Sequence, residues 1–263
     1  LRFLRGIVDS ADLPLNVSRE ALQDNTVFRK MQKVITRKVL DHLDSLATDQ
    51  RETYDRFYRE FGVILREGVT ANDGNRDRAA ALLRFTSTTS AGTGELVSLQ
   101  QYVDRAKEGQ QQIYFACGTD QNAILRDPNL EVFRKRNLEV LVLTDPADEY
   151  IISSLGTFAE KKIVSIDAAE LQLPPQSADE QSKEPAEQQK SQENAAELDQ
   201  LIGVFKEVLG ERVQDVRRSE RLTESVCCLV NAEGSMSTTM QRILRMNTPE
   251  FEMQKMILEL NPT

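Results

Sequence analysis

Residues 112–166 have the sequence QIYFACGTDQNAILRDPNLEVFRKRNLEVLVLTDPADEYIISSLGTFAEKKIVSI, in which short apolar runs alternate with polar turns. The apolar runs are Ile113–Cys117, Leu138–Leu143 and Ile163–Ile166, and each has the length of a buried strand. Asp127-Pro128 and Asp145-Pro146 place a capping residue and a first-turn proline where helices begin. Strands that alternate with helices predict an α/β fold here, a small parallel three-layer αβα unit within residues 95–170.

Residues 1–90 are predicted to be mainly helical. Apolar side chains recur there at three- and four-residue spacing in two segments: Val27, Met31, Val34, Ile35, Val39, Leu43 and Leu46, then Tyr54, Phe57, Tyr58, Phe61, Ile64 and Leu65. This period is typical of amphipathic helices. Ser18 is a candidate N-cap with Glu20 in the first turn, and Phe3–Val8 is a candidate short strand. The expected first domain, 1–172, therefore joins a helical segment to the αβα unit.

A polar stretch separates this domain from the rest of the chain. Residues 174–197 are PPQSADEQSKEPAEQQKSQENAAE, without an apolar side chain larger than alanine, so 173–197 is predicted to be an acidic linker. Residues 198–263 then predict a smaller α+β unit. It would contain a helix over 198–209, strands over 213–216 and 226–230, and helices over 235–246 and 250–258.

Composition narrows the function classes. The net charge of −9 argues against a general nucleic-acid binder, and no apolar run is long enough to span a membrane. Three cysteines without a CxxC pair predict no disulfide framework, so a reducing cytoplasm is expected. With His42 as the single histidine, no metal site is predicted.

The αβα unit has no sequence signal for nucleotide binding. Its strand-to-helix turns are Cys117-Gly118-Thr119-Asp120 and Thr144-Asp145-Pro146, and neither matches a phosphate-binding glycine motif. We therefore expect no cofactor to bind this chain on its own.

Arg19 and Gln23 form the first candidate site. Four residues apart at a predicted helix start, they project from one face and would reach an anionic ligand presented by another domain, as an arginine finger does. By spacing alone, an ordinary pairing of Arg19 with a nearby carboxylate is the simpler interpretation.

Met236, Met240, Ile243 and Leu244 form the second candidate site. Their spacing gives one apolar helical stripe, which is usually core. Methionines, however, suit surfaces that bind varied partners, so an exposed binding helix stays an alternative.

Ordered segments along the whole chain resemble the ninety-kilodalton heat-shock chaperones, in their bacterial form. They are Val8–Gln23, Tyr58–Gly62, Leu82–Phe85, Leu96–Tyr102, Gln112–Phe115, Asp148–Tyr150 and Leu258–Pro262. The resemblance implies a stress-response chaperone that is cytoplasmic, homodimeric and dependent on ATP and Mg²⁺. It also implies a fragment: part of the middle domain and the start of the C-terminal domain, without the nucleotide domain and the dimer helices, and so inactive alone.

The resemblance also assigns roles to both candidate sites. It makes Arg19 the arginine that reaches the γ-phosphate of ATP held by the N-terminal domain, with Gln23 as its polar neighbour. It makes Met236, Met240, Ile243 and Leu244 a contact surface for unfolded or partly folded client proteins. The alternative is a non-enzymatic interaction scaffold without an ATPase cycle.

Overall fold

The chain divides into two compact units, Leu1–Arg84 and Phe85–Thr263. The computed structural model describes residues 2–7, 26–70, 74–175, 195–248 and 250–262. Helices and mixed sheets together give the predicted combination of α/β and α+β structure. No helix within these ranges is long and apolar enough to cross a bilayer.

The first unit is helical, as predicted. Its helices are α1 (Thr26–Asp49), α2 (Arg51–Thr70) and α3 (Arg76–Ala81). The Tyr54 hydroxyl donates a hydrogen bond of 2.5 Å to the carbonyl of Leu82, and the Arg84 guanidinium lies 4.5 Å from the centre of the Tyr54 ring. A buried phenol thereby ties α2 to the residues that follow α3. The strand expected at Phe3–Val8 is absent from its described part, since residues 4–7 form no ladder.

The second unit contains a five-stranded sheet in the order β1-β3-β2-β5-β4. Its strands are β1 (Thr86–Ser87), β2 (Gln112–Cys117), β3 (Leu141–Leu143), β4 (Thr157–Phe158) and β5 (Lys161–Ser165). The central strands β3, β2 and β5 are parallel, whereas the two edge strands pair antiparallel. The three apolar runs of the sequence are therefore the parallel centre of the sheet.

The helix starts predicted at Asp127 and Asp145 are present in this unit. Its helices include α4 (Leu99–Asp104), α5 (Gln121–Leu125), α6 (Glu131–Lys135), α7 (Pro146–Leu155), α8 (Ala195–Leu209) and α9 (Thr238–Asn247). Ser98 and Gln101 form a reciprocal capping box at α4, and Asp145 caps α7. Asp127 caps a 3-10 turn, Pro128–Leu130, that runs directly into α6.

A second sheet of three strands follows in the order β6-β8-β7. The strands are β6 (Asp215–Arg218), β7 (Cys227–Val230) and β8 (Ile257–Leu260). The helix predicted over 250–258 is wrong, because Ile257–Leu260 is the central strand of this sheet. All four of its side chains are buried, including that of Glu259.

The linker predicted at 173–197 falls mainly on residues 176–194, which lie outside the described ranges. On its N-terminal side Leu173 packs against the core of the αβα sheet, and on its C-terminal side α8 begins at Ala195. The αβα sheet and the three-stranded sheet both belong to the Phe85–Thr263 unit. A domain boundary within 173–197 stays a prediction.

Candidate functional site

Helix α9 carries three of the four predicted client-binding residues, with Met236 just before it, and a serine cap fixes its start. The Ser237 hydroxyl accepts a hydrogen bond from the Met240 amide, so the helix begins at Thr238. Gln241 is buried and bridges two segments: its Nε2 donates to the Met236 carbonyl, and its Oε1 accepts from the Gln254 amide. These bonds fix the segment just before the helix, which includes Met236.

The four predicted residues do not share one environment. Met236 is 48% exposed, whereas Met240, Ile243 and Leu244 are half-buried. Met246, which the sequence interpretation did not include, is 84% exposed on the last turn. The helical spacing from Ile243 to Met246 was the signal that could have found it.

Helix α9 forms one side of a cleft of about 550 Å³ within the Phe85–Thr263 unit. The opposite side is the edge of the sheet where the parallel strands end, represented by Cys117, Thr144 and Ser165. The helix contributes several side chains, including Thr239, Arg242, Ile243 and Met246. A stretch predicted from periodicity alone therefore lies beside the end of the sheet at which α/β folds commonly bind ligands.

Buried acidic groups lie close to this edge. Burial raises the pKa of Glu149 to about 7. A hydrogen bond from the Cys117 thiol lowers this pKa, and the charge of the nearby Asp167 carboxylate raises it further. The pKa of Asp167 is also raised, mainly by burial. The Asp167 carboxylate accepts hydrogen bonds from Ser165 and Asn231. The edge of the sheet is thus lined by hydrogen-bond acceptors held in a poorly solvated environment.

The cysteines do not supply a nucleophile. Burial is the main reason that the pKa of the Cys117 thiol lies well above its ordinary value, and it raises the pKa of Cys228 to about 12. Both thiols are therefore protonated at neutral pH. Cys227 is exposed, because burial alternates along β7 and Cys227 lies on its outward-facing side.

Two polar connections join the αβα sheet to the segments that carry α9. The Arg221 guanidinium donates to the Ala168 carbonyl at 3.1 Å and to the Ile166 carbonyl, both just after β5. At α6, the Glu131 carboxylate accepts hydrogen bonds from the backbone amides of residues 223–225 and from the Ser225 hydroxyl. The segment before β7 is therefore fixed to the αβα sheet by charged groups.

The strand-to-helix turns of the sheet do not fit a nucleotide. Asp120 and Asp145 direct carboxylates at the first amides of α5 and α7, where a phosphate would have to bind. A Cβ at Gly118 would come within 2.6 Å of the Ile124 side chain, so this glycine serves packing and not a phosphate. In the described part of the chain, no group of three or more His, Cys, Asp or Glu side chains is placed to hold a metal ion.

Arg19 and Gln23, the other predicted site, lie outside the described residues. Their predicted role stays a prediction.

Comparison with known proteins identifies the family of the chain. The family model described as "Hsp90 protein" matches residues 1–263, and the chain therefore belongs to the Hsp90 family. The resemblance noted from the sequence is thereby confirmed.

Three curated relatives show how much of such a protein is present. Each is called "Chaperone protein HtpG": that of Geobacter sulfurreducens is 44% identical over 262 residues, that of Legionella pneumophila subsp. pneumophila 43% over 262 and that of Coxiella burnetii 41% over 263. The matches cover 100% of this chain but 39%, 41% and 40% of these relatives. The chain thus spans about 40% of the length of the relatives it matches.

Proposed function

We propose that this chain is part of an ATP-dependent molecular chaperone that binds unfolded or partly folded client proteins. The match of the whole chain to the Hsp90 family, with relatives that are named as chaperones, carries the proposal. The longer protein would be a cytoplasmic homodimer that takes part in protein folding under stress.

The proposed client surface consists of Met236, Met240, Ile243 and Leu244, extended by the exposed Met246. Exposed apolar side chains on a short amphipathic helix offer an unfolded chain surface that both partners would remove from water. The thioether side chains adapt to partners of different shape, as a chaperone that accepts many clients requires. Gln241 and Ser237 hold the backbone at this end of the helix by polar bonds, which do not involve the apolar side chains.

ATP and Mg²⁺ would be bound by another part of the longer protein. The strand-to-helix turns described here are occupied by capping carboxylates, which supports a nucleotide site elsewhere. Arg19 would then act on that nucleotide, because a fixed and permanently charged guanidinium stabilises negative charge on a transferring phosphate. Gln23, on the same helical face, would hold the arginine in position.

The double variant Met236→Ser/Met240→Ser tests the client surface in the full-length protein. Fully buried methionines would cost about 2–5 kcal/mol each when truncated, but Met236 is 48% exposed and Met240 half-buried. We therefore expect a small change in melting temperature and an affinity for an unfolded model protein that falls about tenfold.

Met31→Ser, at a half-buried methionine of α1, is the matched control and should leave client affinity unchanged. A large fall in melting temperature for the double variant would place the stripe in the core. Unchanged client affinity would remove these residues from the client surface.

A further inference from the structure

The α9 cleft has the location and the size of a ligand site. It opens where the parallel strands β2, β3 and β5 end, and open α/β sheets characteristically bind ligands outside the carboxyl ends of their strands. Its volume of about 550 Å³ lies within the usual range for sites that take small molecules or single side chains. The client surface proposed above touches this cleft through Ile243 and Met246 but does not account for its polar wall.

Asn129 supplies the observation that points to a ligand. The residue is 6% exposed and lines the cleft. Its Nδ2 donates to Asp127 Oδ1 at 2.9 Å, which fixes the orientation of the amide, and its Oδ1 has no hydrogen-bond partner in the described part of the chain. A buried acceptor without a donor is unfavourable, so the site gains free energy when a donor arrives.

Two carboxylates stand beside this acceptor. Asp127 and Asp167 both line the cleft, and neither forms a salt bridge within the described ranges. They are close enough that the charge of Asp127 raises the pKa of Asp167, which adds to the larger effect of burial. The Arg221 guanidinium acts in the opposite direction and lowers the pKa of Asp167. The polar wall therefore offers the Asp127 carboxylate and one unpaired acceptor, the complement of a cationic donor.

The rim of the cleft is apolar on the side that faces solvent. Leu229 is 45% exposed and Met246 is 84% exposed, while Ile243 is half-buried between helix and sheet. Such a rim favours an alkyl chain that carries its charge inward, since apolar stems lie readily along apolar surface. Arg242 also lines the cleft and would oppose a cation.

We propose that this cleft binds a cationic amine or guanidinium group on an alkyl chain, supplied either by a free polyamine or by a lysine or arginine side chain of a bound polypeptide. The cation would donate to Asn129 Oδ1 and to the Asp127 carboxylate, and its alkyl chain would lie against Leu229 and Met246. The polypeptide source rests on the proposed client-binding function, whereas the polyamine source does not.

Calorimetric titration of the 263-residue chain tests the proposal with two probes. One is spermidine, and the other is a short blocked peptide with a lysine between two leucines, compared with the same peptide carrying norleucine. Saturable binding of spermidine identifies a free amine as the source. Binding of the lysine peptide in preference to the norleucine peptide, without spermidine binding, identifies a polypeptide side chain.

Variants of opposite sign give the decisive comparison. Asp127→Asn keeps an oxygen to accept from the Asn129 amide and so keeps the turn, yet it should weaken binding on the order of tenfold, as expected for the loss of a charged partner. Arg242→Ala should strengthen binding, because it removes a like charge from the opposite wall. Asp145→Asn makes the same chemical change at the cap of α7, outside the cleft lining, and should leave binding unchanged.

The proposal is overturned if neither probe binds, if Asp127→Asn and Asp145→Asn have equal effects, or if Arg242→Ala weakens binding. None of these results bears on the client affinity of the Met236→Ser/Met240→Ser protein. A failure of amine binding is therefore distinguishable from a failure of the proposed function.

Discussion

Glu259→Gln is expected to destabilise the Phe85–Thr263 unit strongly. Glu259 is 2% exposed in the central strand β8 and accepts a hydrogen bond of 2.9 Å from the Ser219 hydroxyl. Its carboxylate also pairs with Arg217 at 2.7 Å and with Arg221, which is 4% exposed, at 3.0 Å. Since Arg221 in turn donates to backbone carbonyls that follow β5, the substitution leaves a buried arginine without its counter-charge at the junction of the two sheets.

The size of the effect follows from the burial of the pair. Removal of one partner from a buried ion pair typically costs about 3–5 kcal/mol, because the remaining charge stays desolvated. Glutamine retains one acceptor oxygen for Ser219 or Arg217, so a loss of about 3 kcal/mol is expected. In a unit of this size each kcal/mol lowers the melting temperature by about 2–4 °C, which gives a fall of about 6–12 °C.

Calorimetric melting of the chain and of a matched variant measures this loss. Asp199→Asn removes the carboxylate of an exposed pair with Arg218, in which both side chains remain largely solvated, and should cost less than about 1 kcal/mol. A melting shift for Glu259→Gln no larger than that for Asp199→Asn would refute the claim that this ion pair holds the two sheets together.

Three further predictions concern acid stability and nucleotide chemistry. Burial alone would raise the pKa of Glu131, but hydrogen bonds from residues 223–225 lower it from 4.5 to about 2. The carboxylate therefore contributes stability that is fully present above pH 4.5 and is lost as the pH falls through 2. In acid titrations followed by circular dichroism, the difference in stability between wild type and Glu131→Gln should vanish between these pH values, and a constant difference would contradict this. In the full-length protein, Arg19→Ala should lower kcat for ATP turnover on the order of 10³-fold with little change in KM, whereas the exposed Arg37→Ala should not; full turnover in the Arg19 variant would exclude the arginine-finger role. The 263-residue chain alone should show no saturable ATP binding in calorimetry, and micromolar binding would show that the nucleotide site lies within it.

The sequence predicted those parts of the fold that local pattern determines. The apolar runs Ile113–Cys117 and Ile163–Ile166 mark parallel strands, and Asp127 and Asp145 cap helical turns because their side chains bond to amides two residues away. The helix expected over 250–258 is absent, and at its end the cause is non-local, because residues 257 and 258 pair with β6 and β7. Glu259, the next residue of the same strand, is tolerated in a buried position because Arg217 and Arg221, about forty residues earlier, neutralise its charge. The spacing of apolar residues in the segment does not show that pairing.

The candidate sites divide in the same way. Met240, Ile243 and Leu244 of the client stripe could be found from helical spacing, whereas Met236 lies before the helix, and the exposure of all four depends on which neighbours the fold provides. Asn129 and Arg242 both line the cleft but lie more than a hundred residues apart in the sequence, so no local motif predicts it. Its polar wall can be identified only from the fold, which places the ends of the parallel strands beside α9.

Binding of a client by the α9 surface is tested most directly by methyl NMR of the chain labelled at methionine. An unfolded model protein would be titrated into the 263-residue chain while the methyl signals of Met31, Met236, Met240 and Met246 are followed. The client-binding account predicts progressive shifts or broadening at Met236, Met240 and Met246, with Met31 in α1 unchanged. Equal perturbation of Met31, or no change at the three methionines of the α9 surface at saturating client, would contradict it.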